Sequence, residues 1–489
     1  MCIVWTEAVQ SQPNPPDGVS SLARWLAASE SHGYGIRLGF GAAGPTYAPP
    51  QHGALVLGPP RCGKTAAIVV PNILGACGPV AAVSTKPDLL RVTSGPRSMV
   101  GDCLLFDPSG TVTAPPGVER VAWSPLHAAQ SWHGALSVSE AMVRAARPGG
   151  DRGDAVHWNE RATALLSVAF HAGALGNLPF ARVMEAIDRR QPDDFQVHLA
   201  AADSERALQL LAGLTATDAR EQSGIWSTAS SVLSGYRTDA AIESTIGTPL
   251  GAARFATETS TLYICAGSDE QRHTAPLVAG VLRDLRVAAY RHTATINDTG
   301  HYDGPPMLFA LDEVANIAPL HDLPTIVAEG GSQGVVTLAC LQDLSQARAR
   351  WGREADGFLS LFQAKVVFPG VADIATLETI SKLAGDMDVP HSSRTRSPPW
   401  ATLMGQRPHI SRTDSTRRER RLPVDVAAQG QPDIVLHLDG VRPQWLHAAP
   451  WFDYPGLRAI VEPHLGRETP SGQRAARATP DRSSVGRFR

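Results

Sequence analysis

The sequence predicts an α/β protein with a central, mainly parallel sheet, split by an inserted all-helical domain. Two observations carry that prediction. Seven short runs, 54–57 (ALVL), 80–83 (VAAV), 103–106 (CLLF), 261–265 (TLYIC), 307–311 (MLFAL), 335–341 (VVTLACL) and 365–368 (KVVF), have strand length and are almost continuously apolar. Continuous rather than alternating hydrophobicity marks strands buried on both faces, and most of these runs precede helix-like patterns, as parallel crossovers require. Between about residues 148 and 250 the strand signal vanishes and Ala, Leu, Glu and Arg recur at helical spacing, as in NERATALLSVAFHAGAL and REQSGIWSTASSVLSGYR.

Taken in order, the chain divides into a segment 1–34, a first half of the α/β core at 35–147, the helical insertion at 148–250 and a second half of the core at 251–390. Residues 391–421 turn polar, with prolines 398, 399 and 408 and eight arginines against Asp414 and Glu419. That composition predicts an exposed, Arg-rich loop or hairpin. Region 422–465 contains one more strand pattern, near 433–438, that returns to the core, and 466–489 has the composition of a disordered basic tail.

The bulk properties exclude several classes. Basic and acidic residues nearly balance at a net charge of −3, so whole-molecule electrostatics do not draw the chain onto nucleic acid, and any such contact must be local. Cys2, Cys62, Cys77, Cys103, Cys265 and Cys340 are scattered, with neither a CxxC pair nor metal-ligand spacing. Reduced thiols, and no structural zinc, are expected. The longest uncharged run, 66–85, contains Pro71, Gly75, Gly78 and Pro79 and reads as a buried helix plus the next strand, not a membrane span. The start of the chain lacks the basic and apolar regions of a signal peptide, so a cytoplasmic location is expected.

The chemistry is concentrated in three places. Gly58, Pro59, Pro60, Arg61, Cys62, Gly63, Lys64 and Thr65 satisfy GxxxxGK[ST], between the strand ALVL and the helix-like TAAIVVPNIL. Glycines let successive backbone N–H groups turn inward as an anion nest at a helix N-terminus, Lys64 bridges the β and γ phosphates of ATP, and the Thr65 hydroxyl ligates Mg²⁺. The second place is Met307 to Glu313, an apolar strand delivering two carboxylates at its end, where ligands sit in open α/β sheets. Asp312 is expected to hold Mg²⁺ and Glu313 to orient and deprotonate the attacking water. The third is Gln342, ending the next strand pattern, whose amide can touch the γ-phosphate or the water.

With these residues in place, the sequence resembles the TraG-like coupling proteins of type IV secretion, within the FtsK/HerA class of motors. STKPDLL (84–90), LLFDPSG (104–110), WSPLH (123–127), HWNERATALL (157–166), NIAPLHDLPTIVAEGGSQG (316–334), LQDLSQARARWG (341–352) and TLETISKLAG (376–385) carry the resemblance over about 35–455. It implies a RecA-like P-loop ATPase domain with an all-helical insert, a homo-hexamer around a channel, and ATP-driven delivery of a DNA–relaxase complex, single-stranded DNA foremost, or of a protein effector to type IV secretion membrane components.

Two departures bear on that expectation. Relatives usually carry N-terminal transmembrane helices, and here the nucleotide motif comes early, so docking at the inner face of the membrane is expected to run through partners. Relatives also often place an arginine in the loop that here reads Gly330-Gly331-Ser332-Gln333-Gly334. An arginine finger is worth about 10³ to 10⁵ in rate, so Arg348, Arg350 and Arg353 are candidate substitutes, against the plainer reading of a solvated helix face. Lys86, Asp88 and the arginines of 394–421 are further candidate contacts, the latter for DNA phosphates. A duplex DNA pump and a nucleotide-binding substrate adaptor with little turnover are the alternative readings.

Overall fold

The structure is a computed structural model that describes residues 18–147, 154–267, 271–296, 304–317, 320–396, 410–428, 433–439 and 443–465. Each of the seven apolar runs forms a strand, and all seven lie in one 12-stranded sheet. Its strands are β1 (Arg37–Gly41), β2 (Gly44–Tyr47), β3 (Ala54–Leu57), β4 (Val80–Ser84), β5 (Cys103–Phe106), β6 (Val118–Arg120), β7 (Thr261–Cys265), β8 (Met307–Leu311), β9 (Val335–Leu341), β10 (Ala364–Val367), β13 (Ile434–Leu438) and β14 (Gln444–His447). A separate antiparallel hairpin pairs β11 (Asp386–Arg396) with β12 (Ile410–Arg420).

The order in the large sheet is β2-β1-β14-β13-β10-β3-β9-β8-β4-β7-β5-β6. From β10 to β6 every pairing is parallel, and from β10 to β2 every pairing is antiparallel. The continuous apolar runs are explained by burial on two sides. Leu55 and Leu57 of β3 enter one core and Ala54 and Val56 the other, with 0% exposure at all four positions. The first core lies under the helices Trp132–Ala146, Asp154–Leu175 and Gln271–Ile296. The second is covered by Gly18–Ser31, Asp88–Arg97 and Pro455–Val461, and by the helix that follows β3.

Helical packing begins earlier than residue 148: Pro125–Ala128 and Trp132–Ala146 precede it, and the latter packs on both Asp154–Leu175 and Gln271–Ile296. Of the loop or hairpin expected over 391–421, the described part is the hairpin β11–β12, which already starts at Asp386. Its alternation is hidden because both faces are solvated and polar. The tail 466–489 and residues 1–17 lie outside the described residues.

Two buried polar devices hold the parallel half in register. The fully buried guanidinium of Arg97 donates to the carbonyls of Gly78 and Thr259 and to Thr261 Oγ1, tying together the chain entering β4 and β7. A buried charge is tolerable only when its donors are satisfied in this way. After β3 the chain winds through a π-helical stretch, Thr65–Val69, into Val70–Gly75. Pro71 has no N–H to return to the preceding turn, and the Ala66 carbonyl accepts instead from Trp451 N–H at 3.0 Å. That bond fastens the C-terminal segment beside the loop that precedes the helix.

Candidate active site

The strand order places β9 between β3 and β8, so the three sequence features that carry chemistry end side by side at the C-terminal edge of the sheet. The loop after β3 is anchored there by Gly58 N–H donating to Leu341 O at 3.2 Å. Two of its glycines are required for different reasons. A Cβ at Gly58 would stand 2.7 Å from both Cys62 Sγ and Phe368 Cβ, whereas at Gly63 the space is open but φ is +100°, a conformation that side chains resist. Arg61 also has positive φ, at +65°.

Lys64 opens the helix, and its ammonium folds back over the loop to donate to the Gly58 carbonyl and, at 3.0 Å, to the Pro59 carbonyl. Cys62 Sγ lies 3.8 Å away, and burial raises its thiol pKa. The next residue makes the contact that joins the two halves of the core: Thr65 Oγ1 donates to Asp312 Oδ2 at 2.9 Å, across 247 positions of sequence. Asp312 is only 9% exposed. Burial pushes its carboxyl up to about 6, with the adjoining Glu313 acting in the same direction and the Thr65 hydroxyl, Lys64 and Lys86 opposing it. A buried carboxyl whose pKa is raised in this way is one whose charge a cation would stabilise.

Glu313 follows β8 with φ +62°, the left-handed region, which costs a non-glycine residue about 1 to 3 kcal/mol and survives only where the surroundings impose it. Here Asp312 N–H is held by Val83 O at 3.0 Å and Glu313 O by Asn316 N–H at 3.0 Å. Gln342 is half-buried, with a side-chain amide that makes no hydrogen bond, and its backbone N–H donates to Gln346 Oε1 at 3.0 Å. Lys86 is exposed just past β4 and makes no ion pair with the equally exposed Asp88, which opens the helix Asp88–Arg97.

The arginines sort clearly. Arg348 pairs with Asp356 at 3.0 Å, and Arg350 donates to the Ala145 carbonyl at 3.1 Å while burial lowers its pKa to about 10. Arg353 is exposed and unpaired. The loop without an arginine is itself a packing joint: Gly330 and Gly331 are buried, and a Cβ at Gly331 would lie 1.8 Å from the Gln51 carbonyl oxygen. Of the described hairpin arginines, Arg412 holds Asp414, and Arg418 and Arg420 share Asp386, which leaves Arg417 exposed and unpaired.

Sequence reasoning gave no role to Asn316 and Gln346. A signal for Gln346 existed: Asp343-Leu344-Ser345-Gln346 has the capping-box spacing, and Asp343 Oδ1 accepts from Gln346 N–H at 3.0 Å.

Comparison with known proteins agrees with this geometry. Residues 306–428 match the family described as the TraM recognition site of TraD and TraG. The conjugal transfer protein TraG of Agrobacterium fabrum (strain C58) is 28% identical over 183 residues, which amounts to 37% of this chain and 27% of that relative. Among solved structures, the bacterial conjugative coupling protein TrwBdeltaN70 superposes with a TM-score of 0.64 at 16% identity, covering 89% of this chain and 92% of its own. TrwB in complex with ADP and Mg²⁺ superposes with a TM-score of 0.60 at 16% identity, covering 82% of this chain and 86% of its own. Residues 306–428 thus resemble a segment of TraD and TraG, 183 residues resemble TraG, a relative of whose length this chain spans about a quarter, and the fold is that of TrwBdeltaN70.

Proposed function

We propose that this chain is an ATP-hydrolysing coupling protein that receives a relaxase–DNA complex or a protein effector and drives it toward a type IV secretion channel. The observation that carries the reading is the 2.9 Å bond from Thr65 Oγ1 to Asp312 Oδ2. A hydroxyl at the start of the loop helix and a buried carboxylate at the end of β8 are the two protein oxygens that hold Mg²⁺ against nucleotide phosphates in P-loop enzymes. Mg²⁺ keeps most of its shell from water and phosphate, so two protein oxygens suffice, and the raised pKa of Asp312 fits a site completed by a cation. When bound, the ion neutralises charge on the β and γ phosphates.

This chain's own residues do the rest. Backbone N–H groups from Arg61 to Thr65 cradle the phosphates, and Lys64 exchanges its carbonyl partners for the β and γ oxygens. Glu313 orients a water and accepts its proton as the water oxygen attacks the γ-phosphorus and the bond to the bridging oxygen of ADP breaks. Gln342, its amide unengaged between the β3 and β8 edges, is the group that registers the γ-phosphate. TrwB bound to ADP and Mg²⁺, and to a non-hydrolysable ATP analogue, supports nucleotide binding on this fold.

A hexameric ring is part of the proposal. Arg353, unlike Arg348 and Arg350, is unpaired and free to reach a neighbouring subunit's nucleotide. The 306–428 match, whose family is described by TraM recognition, supports a partner surface on the exposed part of that segment, the hairpin β11–β12. No helix among the described residues is long and apolar enough to cross a membrane, so within them contact with the channel runs through protein partners.

Steady-state ATPase of the purified chain, with and without single-stranded or duplex DNA and beside Glu313→Gln, tests the reading. DNA-stimulated turnover that disappears in the variant supports it, with the better-stimulating strand separating transfer of single strands from a duplex pump. Nucleotide binding without turnover under every condition overturns it in favour of a substrate adaptor.

A further inference from the structure

Glu313 and Gln342 end adjacent strands, yet no direct bond joins them. What connects them is a run of side-chain amides. Gln342 N–H donates to Gln346 Oε1 at 3.0 Å, Gln346 Nε2 donates to Asn316 Oδ1 at 3.4 Å, and Asn316 Nδ2 donates to Glu313 Oε2 at 3.5 Å. All four residues are half-buried. An amide carries a donor and an acceptor on one rigid plane, so each link fixes the orientation of the next, and turning one amide breaks the run on both sides. The two longer contacts have the length of bonds that tighten only when the reacting complex forms.

We infer that Asn316 and Gln346 are positioning residues that couple the backbone of Gln342 to the carboxylate of Glu313. The inference rests on Glu313 being the water-orienting base proposed above. When the Gln342 side chain meets the γ-phosphate, any shift of its strand end is passed through the Gln346 and Asn316 amides and aims the Glu313 carboxylate at the water. Loss of the phosphate releases it. The left-handed backbone at Glu313 makes such aiming necessary: with φ at +62° the residue is held at one point of the turn, and its side chain has Asn316 as hydrogen-bond donor.

The alternative role of Gln346 is purely structural: at capping-box spacing from the N-cap Asp343, its side chain accepts the Gln342 N–H just ahead of the helix Leu344–Trp351. One substitution separates the two roles. Gln346→Glu keeps the acceptor, and Glu is as good as Gln at that position of a capping box, but it removes the N–H that reaches Asn316.

The test measures kcat, KM and nucleotide affinity for wild type, Asn316→Ala, Gln346→Glu, the double variant and Glu313→Gln, with thermal midpoints recorded for each. The expected result is a fall in kcat of about 10- to 100-fold in each single variant, as misaimed catalytic groups produce, with KM, affinity and midpoint unchanged. The double variant should be no slower than the worse single one, because both cut the same run. If Glu313→Gln is inactive while Gln346→Glu and Asn316→Ala keep wild-type kcat, or if their losses simply multiply, the coupling is overturned and the base assignment stands. If Glu313→Gln itself turns over normally, the base assignment is what fails, and the coupling fails with it.

Discussion

The edge of the sheet where β3, β9 and β8 end and the hairpin β11–β12 hold charge in opposite ways. At the edge, Lys64 and Asp312 are buried, and their partners are backbone carbonyls and a hydroxyl fixed by parallel strands. On the hairpin, Asp386, Arg418 and Arg420 pair with each other in the open, at 2.9 to 3.4 Å, on strands that cover no core. Buried charge is expensive and therefore placed by the whole fold, whereas exposed ion pairs contribute about 0 to 1 kcal/mol each and are replaceable. Function that needs exact placement belongs to the first region.

The largest expected effect lies at that edge. Lys64→Ala should abolish nucleotide binding, because it removes the ammonium that lies over the loop on the Gly58 and Pro59 carbonyls. Equilibrium binding of a fluorescent ATP analogue measures it, and unchanged affinity would remove the phosphate-loop assignment altogether.

Next comes the cost of burying Asp312. Its folded pKa of about 6 exceeds the 3.8 of a free aspartate, so its contribution to stability is fully present below about pH 4 and is lost as pH rises through about 6. At neutral pH without Mg²⁺ the ionised carboxyl therefore destabilises the chain by about 3 kcal/mol. Asp312→Asn should be the more stable protein at neutral pH and should lack this pH dependence, as read from urea unfolding between about pH 4 and about pH 7. Identical pH profiles for the two proteins would show that the carboxyl is not desolvated.

A smaller effect tests whether the edge is as rigid as its hydrogen bonds imply. Gly331→Ala places a Cβ 1.8 Å from the Gln51 carbonyl oxygen, at a buried joint before β9. Overpacking of this kind costs about 1 to 3 kcal/mol, seen as a lower urea midpoint at unchanged slope. An unmoved midpoint would mean that the turn Gly330–Gln333 yields freely, and that the edge is softer than its hydrogen bonds imply.

The same contrast explains what could be read from the sequence. The parallel strands were legible because burial on both faces leaves nearly every residue apolar, and the phosphate loop and the β8 carboxylates because their chemistry demands fixed residues at fixed spacing. β1, β2 and β14 were not: GPTY has no apolar run, and QWLH buries only Leu446. Over 391–421 loop and hairpin both stayed open because solvent on both faces erases alternation. Asn316 and Gln346 passed unremarked because amides in helices are common, and only the meeting of β8 and β9 brings the two within 3.4 Å.

The hairpin supplies the smallest and most discriminating test. Removing Arg418 or Arg417 should change stability by less than about 0.5 kcal/mol, since neither side chain packs on a core. Their effects on DNA should differ. Arg418 is neutralised by Asp386, while Arg417 has no carboxylate partner and is the described hairpin arginine free to meet a phosphate. If the hairpin grips single-stranded DNA, Arg417→Ala should flatten the log–log salt dependence of affinity by about 0.7, one phosphate's worth, and Arg418→Ala should flatten it less. Equal slopes in all three proteins would return this surface to protein partners.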